Sequence, residues 1–270
     1  MPIDFMLNSS PELEARIKQG AVVLLPIGQV EEHGPHLPVG TDTYIAEGVA
    51  RRVAELLDGE IPLLLLPAVW STYSVDALGK WPGLIKVRTR TVIDLTHDIV
   101  ASLLRMGFRK VLMLNGHGNN PPLLDTALRE LADEFDAAPV LANVWAFSAE
   151  SFSHLRRSEP GGAIHADEYE TSLMLAMGYP VDMSSAPAGE SFRFKSQFRA
   201  RDTFAGKNLV TWSTWKLQQS RTGVYGDPTV ASVETGRVVL DATVQKLAQF
   251  VREYYAWEPE QLEPGPVPRA

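Results

Sequence analysis

The sequence predicts an α/β fold: a single domain with a mostly parallel sheet flanked by helices, spanning 1–270 with a Pro-rich, frayed tail over 258–270. Three observations predict it. Short apolar runs recur along the chain, amphipathic stretches lie between them, and the two kinds alternate in the manner of βαβ units.

The first run, AVVLLPIG (21–28), is apolar throughout, as expected of a strand buried on both faces. TYIAEGVARRVAELL (43–57) follows with apolar residues at helical spacing. IPLLLLPAVW (61–70) is a second strand, and RTVIDLTHDIVASLLRMG (90–107) a second helix. KVLMLNG (110–116), PPLLDTALRELADEF (121–135) and APVLANVW (138–145) continue the alternation as strand, helix and strand. ADEYETSLMLAM predicts a helix over 166–177, with acidic residues where a helix N-terminus favours them. A last helix is expected from about 230 to 256. The stretch 179–225 has polar turns and scattered aromatics and little period. It reads as loops, with a possible arm that covers a site or meets another subunit; Phe192, Phe194, Phe198, Trp212 and Trp215 are its candidates for specificity.

With 270 residues, 45% of them hydrophobic and 21% charged, the chain can bury a full core. A net charge of -8 argues against a nucleic-acid surface, which needs clustered Lys and Arg, and favours small-molecule partners. No cysteine occurs, so a metal would be held by His, Asp, Glu or neutral oxygens. The N-terminal segment has neither a basic region nor a long apolar core, and no window approaches the ~20 apolar residues of a membrane span. A cytoplasmic protein without a membrane partner is expected.

Ligands collect at the carboxyl ends of strands in an open parallel sheet, and two of the four runs end in metal-ligand residue types. After the first comes EEHGPHLPVGTD (31–42). Glu31 and His33, two apart, point the same way in an extended segment, and Asp42 returns after the turn. After the third comes HGNN, where His117 lies between glycines and Asn115 or Asn119 could orient a substrate or a ligating group. A polar strand-to-helix turn is the plainer reading of that stretch. A third group, GGAIHADEYETS, sets His165 just ahead of a helix and Glu170 within its second turn. For Asp167 and Glu168, capping and solvated surface charge is preferred. His97 and His154 lack such context and read as surface residues. Carboxylate plus imidazole suits Zn, Mn or Fe, and a bridging carboxylate such as Asp42 could hold two ions ~3.5 to 4 Å apart with an activated water between them.

LPIGQVEEHGPHLPVGTD (25–42), LNGHGNN (114–120), HADEYETSLML (165–175) and, more loosely, GVYGDPTVAS (223–232) resemble the creatininase (creatinine amidohydrolase) family. The resemblance implies a single α/β domain, a divalent metal centre with two ions per subunit (Zn, with Mn or Fe as alternatives), a homo-oligomer, commonly a hexamer, and hydrolysis of small, often cyclic, amides. It also implies that Glu31, His33, Asp42 and His117 are metal ligands with Asp42 bridging. Glu170 would be a ligand or proton-transfer group, and His165 a site histidine near the reacting bond. His36 would be a supporting residue.

Three departures qualify the match. Creatininases proper carry Glu where this chain has Asn119, so Glu170 is expected to take over that coordination, leaving Asn119 to the substrate. The tryptophan that closes over creatinine falls at Gly161 and Gly162, so creatinine itself is not the expected substrate. The wall segment WSTYSVDALGKWPGLI (70–85) is its own, with Tyr73, Trp81 and Lys80 as candidates to line the pocket, packing being the alternative for Trp81. The expected activity is metal-dependent hydrolysis of a C–N bond in a small polar, cyclic substrate. The alternatives are hydrolytic ring opening of a cyclic ketone such as a keto-inositol, a metal-dependent sugar isomerase and, last, a catalytically silent scaffold.

Overall fold

The computed structural model describes residues 1–190, 196–206 and 208–259. Strands β1 (Val22–Ile27), β2 (Leu63–Leu65), β3 (Lys110–Asn115) and β4 (Val140–Asn143) pair in parallel in the order β2-β1-β3-β4. Side chains alternate across a strand, so each run serves two cores. Val22, Leu24, Leu112 and Leu114 pack on the side of helices α2 (Thr41–Leu56), α5 (Val144–Leu155), α6 (Glu168–Ala176) and α7 (Val233–Ala256). Val23, Leu25, Val111 and Met113 pack on the side of α3 (Thr89–Met106) and α4 (Pro121–Glu134). Burial on both faces is why these runs are apolar without alternation; each such leucine contributes about 2 kcal/mol.

The expected elements are present with shifted ends. The 61–70 run forms regular strand only at Leu63–Leu65, because Pro67 has no N–H for the ladder; Val69 rejoins by a single bridge to Ile27. The 138–145 run stops at Asn143, and α5 begins at once from Val144. Helix α1 (Ser10–Lys18) was not among the expected elements, although it carries a sequence signal. Ser9 and Glu12 form a capping box, with Glu12 Oε2 accepting from the Ser9 amide at 2.7 Å and the Ser9 hydroxyl at 2.6 Å. A second, antiparallel sheet pairs β5 (Ala163–His165) with β6 (Tyr225–Gly226), too short to show a period. Among the described residues of 179–224, the one helical turn is Met183–Ser185, in keeping with a loop segment. Residues 258 and 259 of the tail are exposed, and 260–270, like Phe192 and Phe194, lie outside the described residues. Among the described residues no helix is long and apolar enough to cross a membrane.

Two features of this frame position a site. β1 and β3 run in register from Val22↔Lys110 to Ile27↔Asn115, so their carboxyl ends finish side by side. The residue after each is glycine, and each glycine lets the first turn of α2 lie against the strand end. A Cβ on Gly28 would stand 2.3 Å from Thr43 Cα, and one on Gly116 would stand 2.4 Å from the Asp42 carbonyl oxygen. Asp42 is thereby brought beside His117.

A cluster of carboxylates and imidazoles at the strand ends

Glu31, His33, Asp42, His117, His165 and Glu170 converge at the carboxyl ends of β1 and β3. The 28–40 loop doubles back, with the Glu31 amide bonded to the Val39 carbonyl, and delivers Asp42 into the first turn of α2. His117 follows β3, and His165 ends β5. Ala166, at φ 52, holds a left-handed conformation that costs a residue with a Cβ about 1 kcal/mol and turns the chain sharply into α6. Glu170 therefore lies in the first turn of that helix rather than the second, and its Oε2 accepts from the Ala166 amide at 2.6 Å.

Each of the three histidines is tied through one ring nitrogen to a backbone carbonyl. His33 Nδ1 lies 3.1 Å from the Glu31 carbonyl, His117 Nε2 lies 3.0 Å from that of Tyr73, and His165 Nε2 lies 2.8 Å from that of Glu32. A carbonyl only accepts, so these nitrogens carry the hydrogen and the opposite nitrogen faces the cluster. Those opposite nitrogens all meet carboxylate oxygens. His33 Nε2 is 3.2 Å from Asp42 Oδ1 and 3.8 Å from Glu170 Oε2. His117 Nδ1 is 2.7 Å from Asp42 Oδ2 and 3.6 Å from Glu31 Oε1, and His165 Nδ1 is 3.4 Å from Glu31 Oε1. A neutral imidazole would point a lone pair at an anion in every case, so the cluster requires protons or cations between its donors.

In protonated form the balance is carried by histidine. Burial opposes charge on His33 and His117, yet Asp42 and Glu31 outweigh it and raise both to about 9. Burial also works against charging Asp42, but the adjoining His33 and His117 hold its carboxyl well below the usual range. Glu170 goes the other way: burial first, then Asp167 and Asp42, push it well above that range. Glu31 Oε2 is buried and accepts no hydrogen bond among the described residues. Three overlapping sets have donor atoms within 4.8 Å of one another and could hold a metal ion: Glu31–His33–His165, Glu31–Asp42–His117 and His33–Asp42–Glu170.

Around this cluster stand its supports. Glu32 lends its carbonyl to His165 and takes the Gly34 amide on Oε2 at 2.9 Å. His36 Nε2 meets Thr171 Oγ1 at 3.0 Å, joining the 28–40 loop to α6; burial, with His33 and His165 nearby, lowers it to about 4 and keeps it neutral. Asn115 orients the turn, accepting from the His117 amide at 3.1 Å and donating to the His117 carbonyl at 3.0 Å.

Two expectations are corrected. Asp167 does cap α6, accepting from the Glu170 amide at 3.1 Å, but it and Glu168 are 2% and 0% exposed rather than solvated. The amides of Arg157 and Ser158 satisfy the Glu168 carboxylate at 3.0 and 2.7 Å, which lets it remain inside. Trp81 is not among the residues lining the cavity above the cluster. It follows the turn Asp76–Lys80 and is half-buried beneath the exposed Lys80 ammonium, 5.9 Å from its ring centroid.

That cavity measures about 540 Å³. Glu31, Asp42, His117, His165 and Glu170 form its floor, and Tyr73 and Asn119 lie on its wall. Val75, Leu78, Pro122, Leu123 and Ile164 add apolar wall, and the other side comes from residues between Arg199 and Trp215, including Trp212. Arg199, Arg201 and Asp202 were not singled out from the sequence; the charged R-A-R-D run between aromatics was the available signal. Phe198 is half exposed and lies off the cavity. His97 and His154 lie on helix surfaces, His97 beside Glu134 at 3.0 Å.

Residues 7–251 match the family model for creatininase, described as creatinine amidohydrolase. A 3-dehydro-scyllo-inosose hydrolase of Thermotoga maritima is 27% identical, covering 98% of this chain and 86% of its own. The creatinine amidohydrolase of Pseudomonas putida is 29% identical over 90% of this chain and 94% of its own. A mycofactocin precursor peptide peptidase of Mycobacterium tuberculosis is 30% identical over 88% and 86%. Among solved structures, a mutant creatininase of Zn–Zn type superposes with a TM-score of 0.77 at 25% identity, covering 95% of this chain and 99% of that one. A manganese creatininase superposes with 0.76 at 25% identity, covering 95% and 100%.

Proposed function

The chain belongs to the creatininase family and is a hydrolase, and from that premise we propose that it cleaves a C–N bond in a small polar, cyclic amide. In this reading Glu31, Asp42 and His117 would hold one divalent cation, zinc foremost, and His33, Asp42 and Glu170 would hold a second. The supporting observation is the orientation of the imidazoles, each fixed by a backbone carbonyl and turned toward carboxylate oxygens. Asp42 could serve both sets because its two oxygens face different histidines, Oδ1 toward His33 and Oδ2 toward His117. Divalent cations held by these donors would supply Lewis acidity toward a carbonyl and a water.

The remaining groups move protons and bind. His165 hands a proton to the leaving nitrogen, and the Glu32 carbonyl fixes its ring. Tyr73 and Asn119 contact the substrate from the wall. Gly161 and Gly162 stand where the family resemblance sets the tryptophan that closes over creatinine, which favours a different cyclic amide. Assembly into a hexamer belongs to the same reading, supported by exposed apolar side chains such as Trp70 and Ile85, and is read by light scattering.

A second reading has its own support. The Thermotoga relative named as an inosose hydrolase aligns over 98% of this chain, and the same donors serve hydrolytic opening of a ring ketone, a C–C cleavage. Offering metal-replete enzyme cyclic amides and keto-inositols, with products weighed by mass spectrometry, separates the two. Water added to an amide is the expected result. No turnover of any C–N substrate removes the first reading, and a product of unchanged mass points to an isomerase.

Metal loading follows pH. His33 and His117 must lose protons to act as donors, so affinity tightens as pH rises toward about 9. In chelated protein the sign reverses for stability. Their folded values lie above the ordinary value of 6.5, so the stabilisation is complete below that pH and is lost as pH rises through about 9. Thermal unfolding in a chelator should show a midpoint falling across this window, and metal-replete protein a flatter one; a chelated midpoint that rises contradicts the assignment.

A further inference from the structure

Above its floor of carboxylates and imidazoles the cavity is two-sided. Thr203, Asn208, Thr211 and Ser213 put polar groups on the side that runs between Arg199 and Trp215. The apolar wall has two sources. Val75, Leu78 and Ile164 come from a small hydrophobic cluster that stands apart from the cores on the two faces of the sheet, with Tyr73 packed against it. Pro122 and Leu123 come from the first turn of α4.

This apolar wall is fastened to the floor. Ile164 immediately precedes His165 in β5, and the Tyr73 carbonyl meets His117 Nε2 at 3.0 Å. Val75 and Leu78 are 9% and 0% exposed, so the cluster behind the wall is closely packed. Leu123 is placed differently. Its neighbour Leu124 is fully buried in the core between α4 and the sheet, whereas Leu123 is half-buried, belongs to neither main core nor to the small cluster, and lines the cavity. One half-buried leucine is ordinary. In one cavity with the exposed Pro122 and the Val75 cluster, it makes an apolar surface that a bound molecule would take out of water. The volume of about 540 Å³ lies in the range of small-molecule sites, about 300 to 1,000 Å³, and is more than one small amide ring fills.

We propose that Leu123 and Val75 are specificity-determining residues that receive an apolar arm of the substrate while its amide group lies on the floor. The substrate class is then a cyclic amide whose polar ring carries an aliphatic substituent. The floor takes the few polar atoms that fix orientation, and the apolar wall supplies affinity by covering the arm. This inference rests on the amide-hydrolase reading above and narrows it.

The test uses metal-replete full-length protein and four probes: pyrrolidinone, and the same lactam carrying a hydroxymethyl, an ethyl or an isobutyl arm on the ring carbon beside the nitrogen or beside the carbonyl. Hydroxymethyl matches ethyl in size and differs in polarity. Calorimetric titration is run on wild type, Leu123→Asn and Val75→Thr, with metal content measured in each. In at least one series affinity should rise from hydroxymethyl through ethyl to isobutyl, and the isobutyl lactam should bind about 10- to 100-fold tighter than the parent. Its heat-capacity change on binding should be the more negative, as burial of apolar surface requires. Each variant should lower the isobutyl-to-parent ratio by about threefold or more while keeping its metal. Equal binding of parent and isobutyl lactams by wild type overturns the proposal, as does a hydroxymethyl arm that binds as tightly as ethyl. A ratio that survives in both variants also overturns it, since the arm then rests elsewhere. Should Leu123→Asn fail to fold, Leu123→Ala, which shortens the side chain and suits a helix, should still lower the ratio, and full retention there overturns the assignment. Turnover is scored separately. Preference for the apolar arm without C–N cleavage removes the amide reading and leaves the subsite standing, whereas cleavage of the parent lactam with no preference removes the subsite alone.

Discussion

Asp42→Asn is expected to strip the protein of bound divalent metal and to lower kcat/KM by about a thousandfold or more. The side chain is 2% exposed, and its two oxygens face His33 and His117. Asparagine keeps the volume and removes the charge, and it turns one of the two acceptors into an N–H donor aimed at a ring nitrogen. Either orientation of the amide spoils one donor set outright, and loss of the shared charge weakens the other. Helix α2 should survive, because its burial rests on Ile45, Ala46, Val49, Ala50 and Val53 rather than on this carboxylate. Elemental analysis and steady-state kinetics, with circular dichroism as the folding control, read the result. Full activity with full metal content in the variant would falsify the site assignment.

The reasons some parts of the site were legible and others were not are physical. Glu31, His33, Asp42 and His117 follow buried strands that announce themselves by unbroken apolar runs, and the polar residues after a parallel strand have one place to go. The histidine tethers were not legible, since the Tyr73 and Glu32 carbonyls are presented by tertiary structure, as far as 44 and 133 residues along the chain from their partners. Asp167 and Glu168 misled for a related reason. Acidic residues at a helix start are commonly solvated, and only the fold shows that the Arg157 and Ser158 amides lie in wait for Glu168. The 196–225 wall had no period to betray it, because its residues pack as loop against aromatic rings; its charged R-A-R-D run is informative only once the cavity is seen. Trp81 shows the converse. A tryptophan near a site motif is a fair candidate for a pocket, but a short helical turn carries this one away under Lys80.

Glu170→Gln should separate the two donor sets. Glu31, Asp42 and His117 need nothing from Glu170, whereas His33 and Asp42 have it as their third partner, with its Oε2 3.8 Å from His33 Nε2. Metal content is therefore expected to fall from about two equivalents to about one, with kcat lowered by about a hundredfold and the remaining ion tightly held. The family resemblance supplies the rescue. Asn119 stands where creatininases carry a glutamate and lines the same cavity as Glu170, so adding Asn119→Glu to the Glu170→Gln variant should return the second equivalent. Metal titration followed by elemental analysis of both variants checks this. If Glu170→Gln keeps both ions, Glu170 is a proton carrier and not a donor, and the change should appear in the pH profile of kcat: a carboxyl held far above its ordinary range by burial, Asp167 and Asp42 would no longer contribute its titration. If the double variant stays at one ion, the second set is closed by neither position, and the likeness of this site to a two-ion centre ends at Asp42.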